Sequence, residues 1–333
     1  MLSCAIVGVT GMVGRTFLKV LEEKNLDIDE YRFFASEKSR DKIVEFNDKF
    51  YKVEVLDENT FLDNKFDFAL FSAGGKISEV FAPIAAKSGC VVIDNSSTFR
   101  MKEDVPLIVP EVNSNDIFNH KGIISNPNCS TIQAVVALKP LMDNYGIKRV
   151  IYSTYQAVSG AGRSGIDELI ASSNNEVDFE PVKFPYIISN NCLPHIDKFL
   201  ENDYTKEEMK MIEETRKILN SPNLLITATT VRVPVLNCHG ESINVELEKD
   251  FNIDEVKQLL STSEGVVVLD DPQKNIYPIN TFVDGKDEVY IGRIRRDYSV
   301  KNGLNMWVVA DNIRKGAATN AVQILEKILE KNI

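Results

Sequence analysis

The stretch Leu2-Ser3-Cys4-Ala5-Ile6-Val7-Gly8-Val9-Thr10-Gly11-Met12-Val13-Gly14 decides the fold. Its first six residues form a short apolar run that predicts a buried strand, and a helical pattern continues after the glycines through Lys24. The glycines follow the spacing G-x-x-G-x-x-G, a variant of the dinucleotide-binding fingerprint. Glycines at such a turn let backbone amides approach a pyrophosphate at a helix N-terminus. The stretch therefore predicts the first strand, turn and helix of a dinucleotide-binding domain.

Short apolar runs alternate with helical patterns downstream. Strands are predicted over 31–35, 51–56, 66–71 and 90–93, and a helix over 77–87. This alternation is typical of βαβ units and a parallel sheet. Small and polar residues follow two of the strands, as Ser72-Ala73-Gly74-Gly75 and as 94–100. Because ligands of open α/β sheets bind at the carboxyl ends of strands, we expect the cofactor there.

The loop Ser36-Glu37-Lys38-Ser39-Arg40 follows the predicted second strand. In NAD-binding domains an acidic residue at this place accepts the ribose hydroxyls, whereas cations accommodate the 2′-phosphate of NADP. Two cations and two hydroxyls favour NADP here. Because Glu37 is acidic, NAD remains an alternative cofactor. A third possibility is that the loop is a solvated charged loop that binds neither cofactor.

The stretch 125–133 places Cys129 near the start of a predicted helix. Ser130 and Gln133 fit a capping box, which places Cys129 one residue before the helix N-terminus. Unpaired amides and the positive end of the helix dipole favour a thiolate there, the form that attacks an acyl group. A buried, inert cysteine is the alternative.

The second half predicts another domain. Strands over 149–156, 242–248, 288–293 and 304–309, with an extended segment over 227–240, form a mixed, largely antiparallel sheet, accompanied by a helix over 205–219. The last segment, 314–331, has one apolar helical stripe that we expect to return to the first domain. The predicted fold is α/β: a Rossmann-type dinucleotide-binding domain of residues 1–128 plus 312–333, and an α+β catalytic and dimerisation domain of residues 129–311.

Composition excludes several classes of partner. The 333 residues carry a net charge of −11, with no basic stripe, which argues against nucleic acid and anionic membranes. Five cysteines without a C-x-x-C pair indicate neither a disulfide framework nor a metal site, and fit a reducing cytosol. No run approaches the roughly 20 apolar residues of a membrane span. A soluble, cytoplasmic protein without a bound metal is expected.

Ordered motifs over essentially the whole chain resemble the bacterial branch of the aspartate-semialdehyde dehydrogenase family. They are 8–14, Asp94-Asn95-Ser96-Ser97-Thr98-Phe99-Arg100, Pro110-Glu111-Val112-Asn113, Asn126-Pro127-Asn128-Cys129-Ser130-Thr131, Gln156-Ala157-Val158-Ser159-Gly160, Arg232-Val233-Pro234-Val235 with His239, and Asp311-Asn312-Ile313-Arg314-Lys315-Gly316-Ala317-Ala318. One departure is Lys38-Ser39-Arg40-Asp41, where family members usually carry an arginine followed by Ser-Ala-Gly.

The resemblance implies a catalytic set of Cys129 as nucleophile, Gln156 to orient it or its acyl adduct, and His239 as acid–base catalyst. It implies substrate binding by Arg232 (α-carboxylate), Glu207 (amino group), Arg100 with Lys210 (phosphate), and Asn128. Spacing alone favours a surface ion pair for Glu207 and Lys210. The implied cofactor-binding residues are Gly8, Thr10, Gly11, Met12, Val13, Gly14, Ser36, Lys38, Ser39, Ser72, Gly74, Gly75, Asn95, Ser159, Gly160 and Asn312.

The implied reaction is NADPH-dependent reductive dephosphorylation of L-β-aspartyl phosphate to L-aspartate β-semialdehyde through a cysteine thioester. It would supply the pathway to lysine and diaminopimelate, threonine and methionine. The expected partners are the acyl-phosphate substrate, phosphate, and a second copy in a homodimer or tetramer. Two alternatives are an N-acetylglutamyl-phosphate reductase and a nucleotide-binding regulator without chemistry. The presence of Cys129, Gln156 and His239 together argues against the regulator.

Overall fold

The computed structural model describes residues 1–174 and 180–331. The chain divides into two compact units, one of Met1–Pro127 with the segment from Ala317 onward, and one of Asn128–Gly316. The sequence predicts that the first domain ends at residue 128 and resumes at residue 312. In the structure the first unit ends at Pro127 and resumes at Ala317.

Strands and helices alternate in the first part of the chain and strands dominate in the second. The strands are β1 (Ser3–Val7), β2 (Glu30–Ala35), β3 (Ile43–Phe46), β4 (Lys49–Lys52), β5 (Glu54–Val55), β6 (Phe68–Phe71), β7 (Val91–Asp94), β8 (Ile123–Ser125), β9 (Ile147–Gln156), β10 (Leu225–Arg232), β11 (His239–Leu247), β12 (Val266–Val268), β13 (Val289–Asp297) and β14 (Gly303–Ala310). The α-helices are α1 (Met12–Lys24), α2 (Gly75–Lys87), α3 (Pro110–Asn113), α4 (Cys129–Tyr145), α5 (Arg163–Ser173), α6 (Lys206–Ile218), α7 (Ile253–Ser261), α8 (Asn280–Val283) and α9 (Asn320–Lys331). Short 3₁₀ helices span Glu37–Ser39, Ser114–Asn119, Val158–Ala161 and Pro272–Lys274, and a π-helix spans Arg314–Thr319.

The first unit is a doubly wound parallel sheet with the strand order β5-β2-β1-β6-β7-β8. Side chains of β1 alternate between two apolar cores, with Cys4 and Ile6 in one and Ala5 and Val7 in the other. The strand order reverses beside β1, between β1 and β6, which is the place where such sheets bind dinucleotides. The Rossmann-type prediction is confirmed.

The C-terminal helix belongs to the first unit. Its apolar stripe is buried in the same core as Ile6, and it consists of Ala318, Ala321, Val322, Leu325, Ile328 and Leu329. The prediction that this stripe returns to the first domain is therefore confirmed. The helical segment begins with the π-helix and becomes α-helical at Asn320.

The second unit is built on a sheet of order β10-β9-β11-β14-β13-β12. The outer pairs β10·β9 and β12·β13 are parallel, and the three central pairs are antiparallel, which confirms the predicted mixed sheet. Helix α4 packs on β9, β11 and β14, and α6 packs on β10. Alternate residues of β9 and β11 are buried under these helices.

The capping box predicted for Ser130 and Gln133 is wrong. The N-cap is Asn128, whose Oδ1 accepts the amides of Ser130 (3.1 Å) and Thr131 (3.3 Å). An asparagine caps as well as a serine does, and it comes earlier in the chain. Cys129 is therefore the first residue of the helix rather than the residue before it.

The extended segment predicted over 227–240 is two strands. Strand β10 ends at Arg232 and β11 begins at His239, and Cys238 between them has φ +68°. Likewise, residues 51–56 do not form one strand: β4 and β5 are separated at Val53, whose N–H donates to Lys42 O. In both places the apolar run continues past the residues where the strands end, at 233–238 and at Val53.

Candidate active site

The glycine turn of the first unit is closely packed. Gly8 has φ +89°, and a Cβ there would lie 2.4 Å from Ser72 O; a Cβ on Gly14 would lie 2.2 Å from Gly8 O. Only glycine fits both positions, because an added side-chain atom would overlap backbone. The glycines therefore allow the loop after β1 to lie against the loop after β6.

Two helices of the first unit begin with uncapped amides. The N-caps of α1 and α2 are Gly11 and Gly74, and no side chain of the described residues caps either helix. Gly74 has φ +88°, and a Cβ there would have no other atom within 4 Å. Helix N-termini that no described side chain caps, beside the strand ends, suit a pyrophosphate.

The loop after β2 lies beside Thr10. Thr10 Oγ1 and the buried Ser39 Oγ are 3.3 Å apart, whereas Ser36 and Lys38 are exposed. Arg40 forms an ion pair with Glu37 (2.8 Å) on the surface. A cavity of about 480 Å³ adjoins Thr10, and its lining includes the cations Arg15, Lys19 and Lys42 and the acids Glu22, Glu45 and Asp48.

The loop after β7 is held by its own polar side chains. Asp94 is fully buried and accepts from Ser78 Oγ (2.6 Å) and Ser96 Oγ (2.7 Å). Asn95 Oδ1 accepts from Asn126 Nδ2 (2.7 Å), and the buried Arg100 donates to Asn95 O (3.0 Å). These bonds fix the guanidinium of Arg100 at the carboxyl end of the parallel sheet.

In the second unit the half-buried Cys129 is the first residue of helix α4. Asn128 caps the helix and also donates from Nδ2 to Glu207 Oε1 (2.9 Å), while its backbone N–H donates to Glu214 Oε2 (2.6 Å). The Arg232 guanidinium is close enough to Cys129 to interact electrostatically with it. A helix N-terminus and a neighbouring cation are the environment that favours a thiolate.

The carboxylate of Glu207 is the centre of the hydrogen bonding. Besides Asn128, Gln156 Nε2 donates to Oε1 (3.2 Å), and Lys210 Nζ lies 3.0 Å from Oε2. Burial alone would raise the pKa of Glu207, but the Lys210 ammonium and the hydrogen bonds lower it to about 2. Gln156 also donates to Ser130 Oγ. Glu207 is thus a buried, ionised carboxylate, and not a surface partner of Lys210.

Lys210 lies between two carboxylates. Its Nζ is 2.9 Å from Asp197 Oδ2 and 3.0 Å from Glu207 Oε2. Burial opposes its charge, but these two carboxylates together raise the pKa of Lys210. The ammonium is therefore fixed in position and charged.

The backbone of Ala157 forms hydrogen bonds with both His239 and Arg232. Ala157 N–H donates to His239 Nδ1 (3.0 Å), and Arg232 Nη1 donates to Ala157 O (2.5 Å). Burial, and next the positive charge of Arg232, lower the pKa of His239 to about 3. The neutral ring with Nδ1 as acceptor carries its proton on Nε2.

Two glycines make room for these groups. A Cβ on Gly160 would lie 3.0 Å from Arg232 Nη1 and 3.3 Å from His239 Nε2. A Cβ on Gly316 would lie 2.8 Å from Cys129 Cβ. Gly160 is one of the expected cofactor residues, and the structure places it against Arg232 and His239 of its own unit.

Ser159 and Asn312 support the turn before His239. Asn312 Nδ2 donates to Ser159 Oγ (3.0 Å), and Asn312 Oδ1 accepts from Cys238 N–H (2.9 Å). Ligand atoms of Cys238, Asp284 and Asp311 lie within 4.8 Å of one another. The oxygens of Asp311 already accept the amides of Gly285, Ile313 and Arg314. The Asp311 carboxylate in this cluster therefore stabilises the local backbone by accepting these amides.

The structure brings together the predicted residues of the second unit: Cys129, Asn128, Gln156, Glu207, Lys210, Arg232 and His239. Four residues in contact with them were assigned no site role from the sequence, namely Ser130, Asp197, Glu214 and Gly316. Glu214 could have been found, because it lies seven residues after Glu207 on the same face of α6. A thiol at a helix start, a proton-bearing Nε2 and fixed charges of both signs can perform acyl transfer on a substrate with an ammonium and a carboxylate.

Within residues 1–174 and 180–331, no helix combines the length and apolarity needed to cross a bilayer.

Comparison with known proteins gives matches over the whole chain. Residues 3–120 match the family described as semialdehyde dehydrogenase, NAD binding domain, and residues 138–315 match semialdehyde dehydrogenase, dimerisation domain. A curated relative, the aspartate-semialdehyde dehydrogenase of Aquifex aeolicus (strain VF5), is 54% identical over 336 residues, covering 99% of this chain and 98% of its own.

Two solved structures are similar as well. Aspartate semialdehyde dehydrogenase II of Vibrio cholerae, complexed with ASA, superimposes with a TM-score of 0.95 at 45% identity, covering 100% of this chain and 99% of that one. Aspartate semialdehyde dehydrogenase of Candida albicans with NADP has a TM-score of 0.77 at 25% identity and covers 100% and 99% of the two chains.

Proposed function

Because the chain belongs to the aspartate-semialdehyde dehydrogenase family, it is an oxidoreductase, and we propose that it converts L-β-aspartyl phosphate to L-aspartate β-semialdehyde with NADPH. This reaction would place it in the biosynthesis of lysine and diaminopimelate, threonine and methionine. The observation that carries the proposal is the arrangement of Cys129, Glu207, Arg232 and His239 in one unit. Each group matches one chemical feature of this substrate.

Cys129 is the proposed nucleophile. Its thiolate attacks the acyl carbon, the bond from that carbon to the phosphate oxygen breaks, and phosphate leaves with the electron pair and takes up a proton. The product is a thioester on Cys129. After reduction to the aldehyde level, the carbon–sulfur bond breaks and the thiolate is restored. Arg232 and the first amides of α4 favour the negative sulfur at both stages.

His239 is the proposed acid–base residue. Its Nδ1 is engaged by the Ala157 amide, so Nε2 is the nitrogen that exchanges a proton or donates to the oxyanion. The low pKa of His239 keeps the ring neutral before substrate binds. Gln156, fixed by Ser130 and Glu207, is proposed to orient the acyl group.

Substrate recognition is proposed to rest on opposite charges. The Glu207 carboxylate would bind the α-ammonium group, and Arg232 the α-carboxylate, which a guanidinium can bind in a bidentate way. An N-acetylated substrate has no ammonium group for Glu207, so the structure favours aspartyl over N-acetylglutamyl phosphate. Arg100 and Lys210, each fixed by hydrogen bonds within its own unit, are proposed to bind phosphate.

NADP is the proposed cofactor. The uncapped N-termini of α1 and α2 and the open position at Gly74 fit a pyrophosphate, and Thr10 and Ser39 are hydroxyls beside the ribose end of such a site. When bound, NADPH supplies the hydride that reduces the thioester. Since Arg40 is paired with Glu37, we assign the 2′-phosphate to Lys38, Ser36 and Ser39.

The decisive assay is the reverse reaction: reduction of NADP by aspartate semialdehyde, dependent on phosphate. Wild-type protein should be active, Cys129→Ser should be inactive, and Cys192→Ser, an exposed cysteine of the same unit, should match wild type. Parallel arms with NAD and with N-acetylglutamate semialdehyde test cofactor and substrate choice. Inactive wild type would refute the reaction, and an active Cys129→Ser variant would refute the thioester.

A homodimer is proposed from the description of the second unit's family as a dimerisation domain. The face of the β9–β14 sheet turned away from α4 carries exposed or half-buried apolar side chains, among them Tyr155, Leu225 and Trp307. A second copy seated on this face would cover them. Light scattering should give twice the chain mass of 37.4 kDa, and the chain mass itself would contradict the dimer.

A further inference from the structure

A layer of buried polar groups lies beneath the candidate site, between the sheet of the second unit and helix α4. It consists of Gln133, Thr154, Gln156 and Glu241, and all four are at most 1% exposed. In the part of the chain that the structure describes, neither carboxyl oxygen of Glu241 has a hydrogen-bond partner, and the same holds for Gln133 Oε1, Thr154 Oγ1 and Gln156 Oε1. No step of the proposed mechanism uses Glu241.

Strand register places Glu241 next to the groups that hold the catalytic elements. Glu241 pairs with Thr154 on β9 and with Val308 on β14, and His239 lies two residues earlier on the same face of β11. Gln133 lies one helical turn after Cys129 on α4. Its Nε2 donates to the carbonyls of His239 (3.2 Å) and Val308 (3.4 Å), which lie on the two strands that meet at Glu241.

Among the described residues the layer has more acceptor oxygens than donors. The two bonds of Gln133 Nε2 fix its carboxamide so that Oε1 must accept, and Gln156 Nε2 is likewise engaged, so that its Oε1 must accept. An ionised Glu241 could only accept, which would leave the Thr154 hydroxyl as the donor for all these oxygens. A protonated Glu241 adds an O–H donor to a layer in which the oxygens of Gln133 and Gln156 have no donor among the described residues.

The charges around Glu241 act in the same direction. The titratable groups near it are Glu207 on α6 and Tyr152 on β9, which interact with it electrostatically, and His239 two residues earlier on the same face of its own strand. None of these three groups is a cation, since His239 is neutral. Burial, and then the Glu207 carboxylate, raise the pKa of Glu241 well above its ordinary value.

We propose that Glu241 is an uncharged carboxylic acid at neutral pH and a positioning residue whose O–H donates to the Gln133 carboxamide oxygen, directly or through one bridging water. This bond ties the first turn of α4, which carries Cys129, to the start of β11, which carries His239. The catalytic consequence rests on the proposed function, but the protonation of Glu241 does not. Ionisation at alkaline pH removes the donor and adds a second negative charge near Glu207, so activity falls there.

Infrared difference spectroscopy on the unliganded protein tests the protonation without any activity measurement. The carbonyl stretch of a protonated carboxylic acid should be present at neutral pH in wild type and lost in Glu241→Gln. Glu168→Gln is the matched control, because both oxygens of the buried Glu168 accept backbone amides and this change should leave the band in place. An unchanged band in Glu241→Gln overturns the proposal even if the enzyme assay succeeds.

Kinetics of two variants test the positioning. Glu241→Gln keeps an uncharged donor and should retain most of kcat, with the alkaline fall in kcat displaced or absent. Glu241→Met has a similar volume without a donor, and kcat should drop about ten- to a hundredfold at nearly constant KM, because small misplacements of reacting groups cost this much. Equal loss in both variants, or an unchanged alkaline limb in Glu241→Gln, would overturn the positioning role.

Discussion

Replacing Glu207 with glutamine removes the buried negative charge at the centre of the candidate site while keeping the shape of the side chain. In the folded protein the pKa of Glu207 is about 2, against an ordinary value of 4.5. At roughly 1.4 kcal/mol per pKa unit, this difference corresponds to about 3 kcal/mol of stability. The figure is an upper limit for the variant, because glutamine retains part of the hydrogen bonding to Asn128 and Lys210.

The sign of the pH dependence follows from the direction of the shift. A depressed pKa in the folded state contributes stability that is fully present above pH 4.5 and is lost as the pH falls toward 2. Wild type and Glu207→Gln should therefore differ most near neutral pH and converge in acid. A loss of about 3 kcal/mol lowers the melting temperature by about 6–12 °C for a unit of this size.

Thermal unfolding between pH 7 and pH 3 measures the difference. Glu213→Gln, an exposed position on the same helix, is the matched control and should lie within about 0.5 kcal/mol of wild type at every pH. If the gap between Glu207→Gln and wild type stayed constant as the pH fell, the carboxylate would not be held by the charge of Lys210, and the electrostatic reasoning would be wrong.

Three further outcomes are expected. In Gly316→Ala the new Cβ would lie 2.8 Å from Cys129 Cβ, so Cys129 must shift, and steady-state kinetics should show kcat falling about tenfold or more with little change in KM. The pKa of His239 is about 3 in the folded protein and 6.5 ordinarily, so at pH 5 only the unfolded chain binds a proton at this residue. The free energy of unfolding of wild type should therefore fall by about 2 kcal/mol between pH 7 and pH 5. Thermal unfolding measures this loss, which should be absent in His239→Asn. Asn128→Ala should lower the free energy of unfolding by about 1–3 kcal/mol. Asn128→Asp should not restore this stability, because the aspartate charge would face Glu207, although aspartate is an equally good N-cap. Full stability in Asn128→Asp would mean that only the helix cap matters.

The hydrogen bonding around Glu207 changes the interpretation of its spacing to Lys210. On a helix, two opposite charges three residues apart are most often a surface pair of small energetic value. Here Glu207 is buried and Lys210 mostly so, and Asp197 supplies a second carboxylate from outside the helix. The difference arises from burial, which local spacing does not report.

Sequence alone determined those features that depend on local chemistry. The glycines of 8–14, the apolar run before them and the alternation of strands and helices specify a parallel sheet, because glycine tolerance, strand burial and helical periodicity are properties of short segments. The stripe of the last helix likewise specified a buried face. Where two local signals competed, as at the N-cap of α4, the sequence pattern selected Ser130 although Asn128 caps the helix.

Only the tertiary structure decided what surrounds each functional side chain. Asn128, Gln156, Glu207, Lys210 and His239 come from four elements separated by up to 111 positions in the chain, and their distances and charges depend on how these elements pack. Burial makes the ring of His239 neutral, the Lys210 ammonium and hydrogen bonds keep the buried Glu207 ionised, and the oxygens of Glu241 have no hydrogen-bond partner among the described residues. Burial and long-range electrostatics are sums over the folded chain, so no window of sequence contains them.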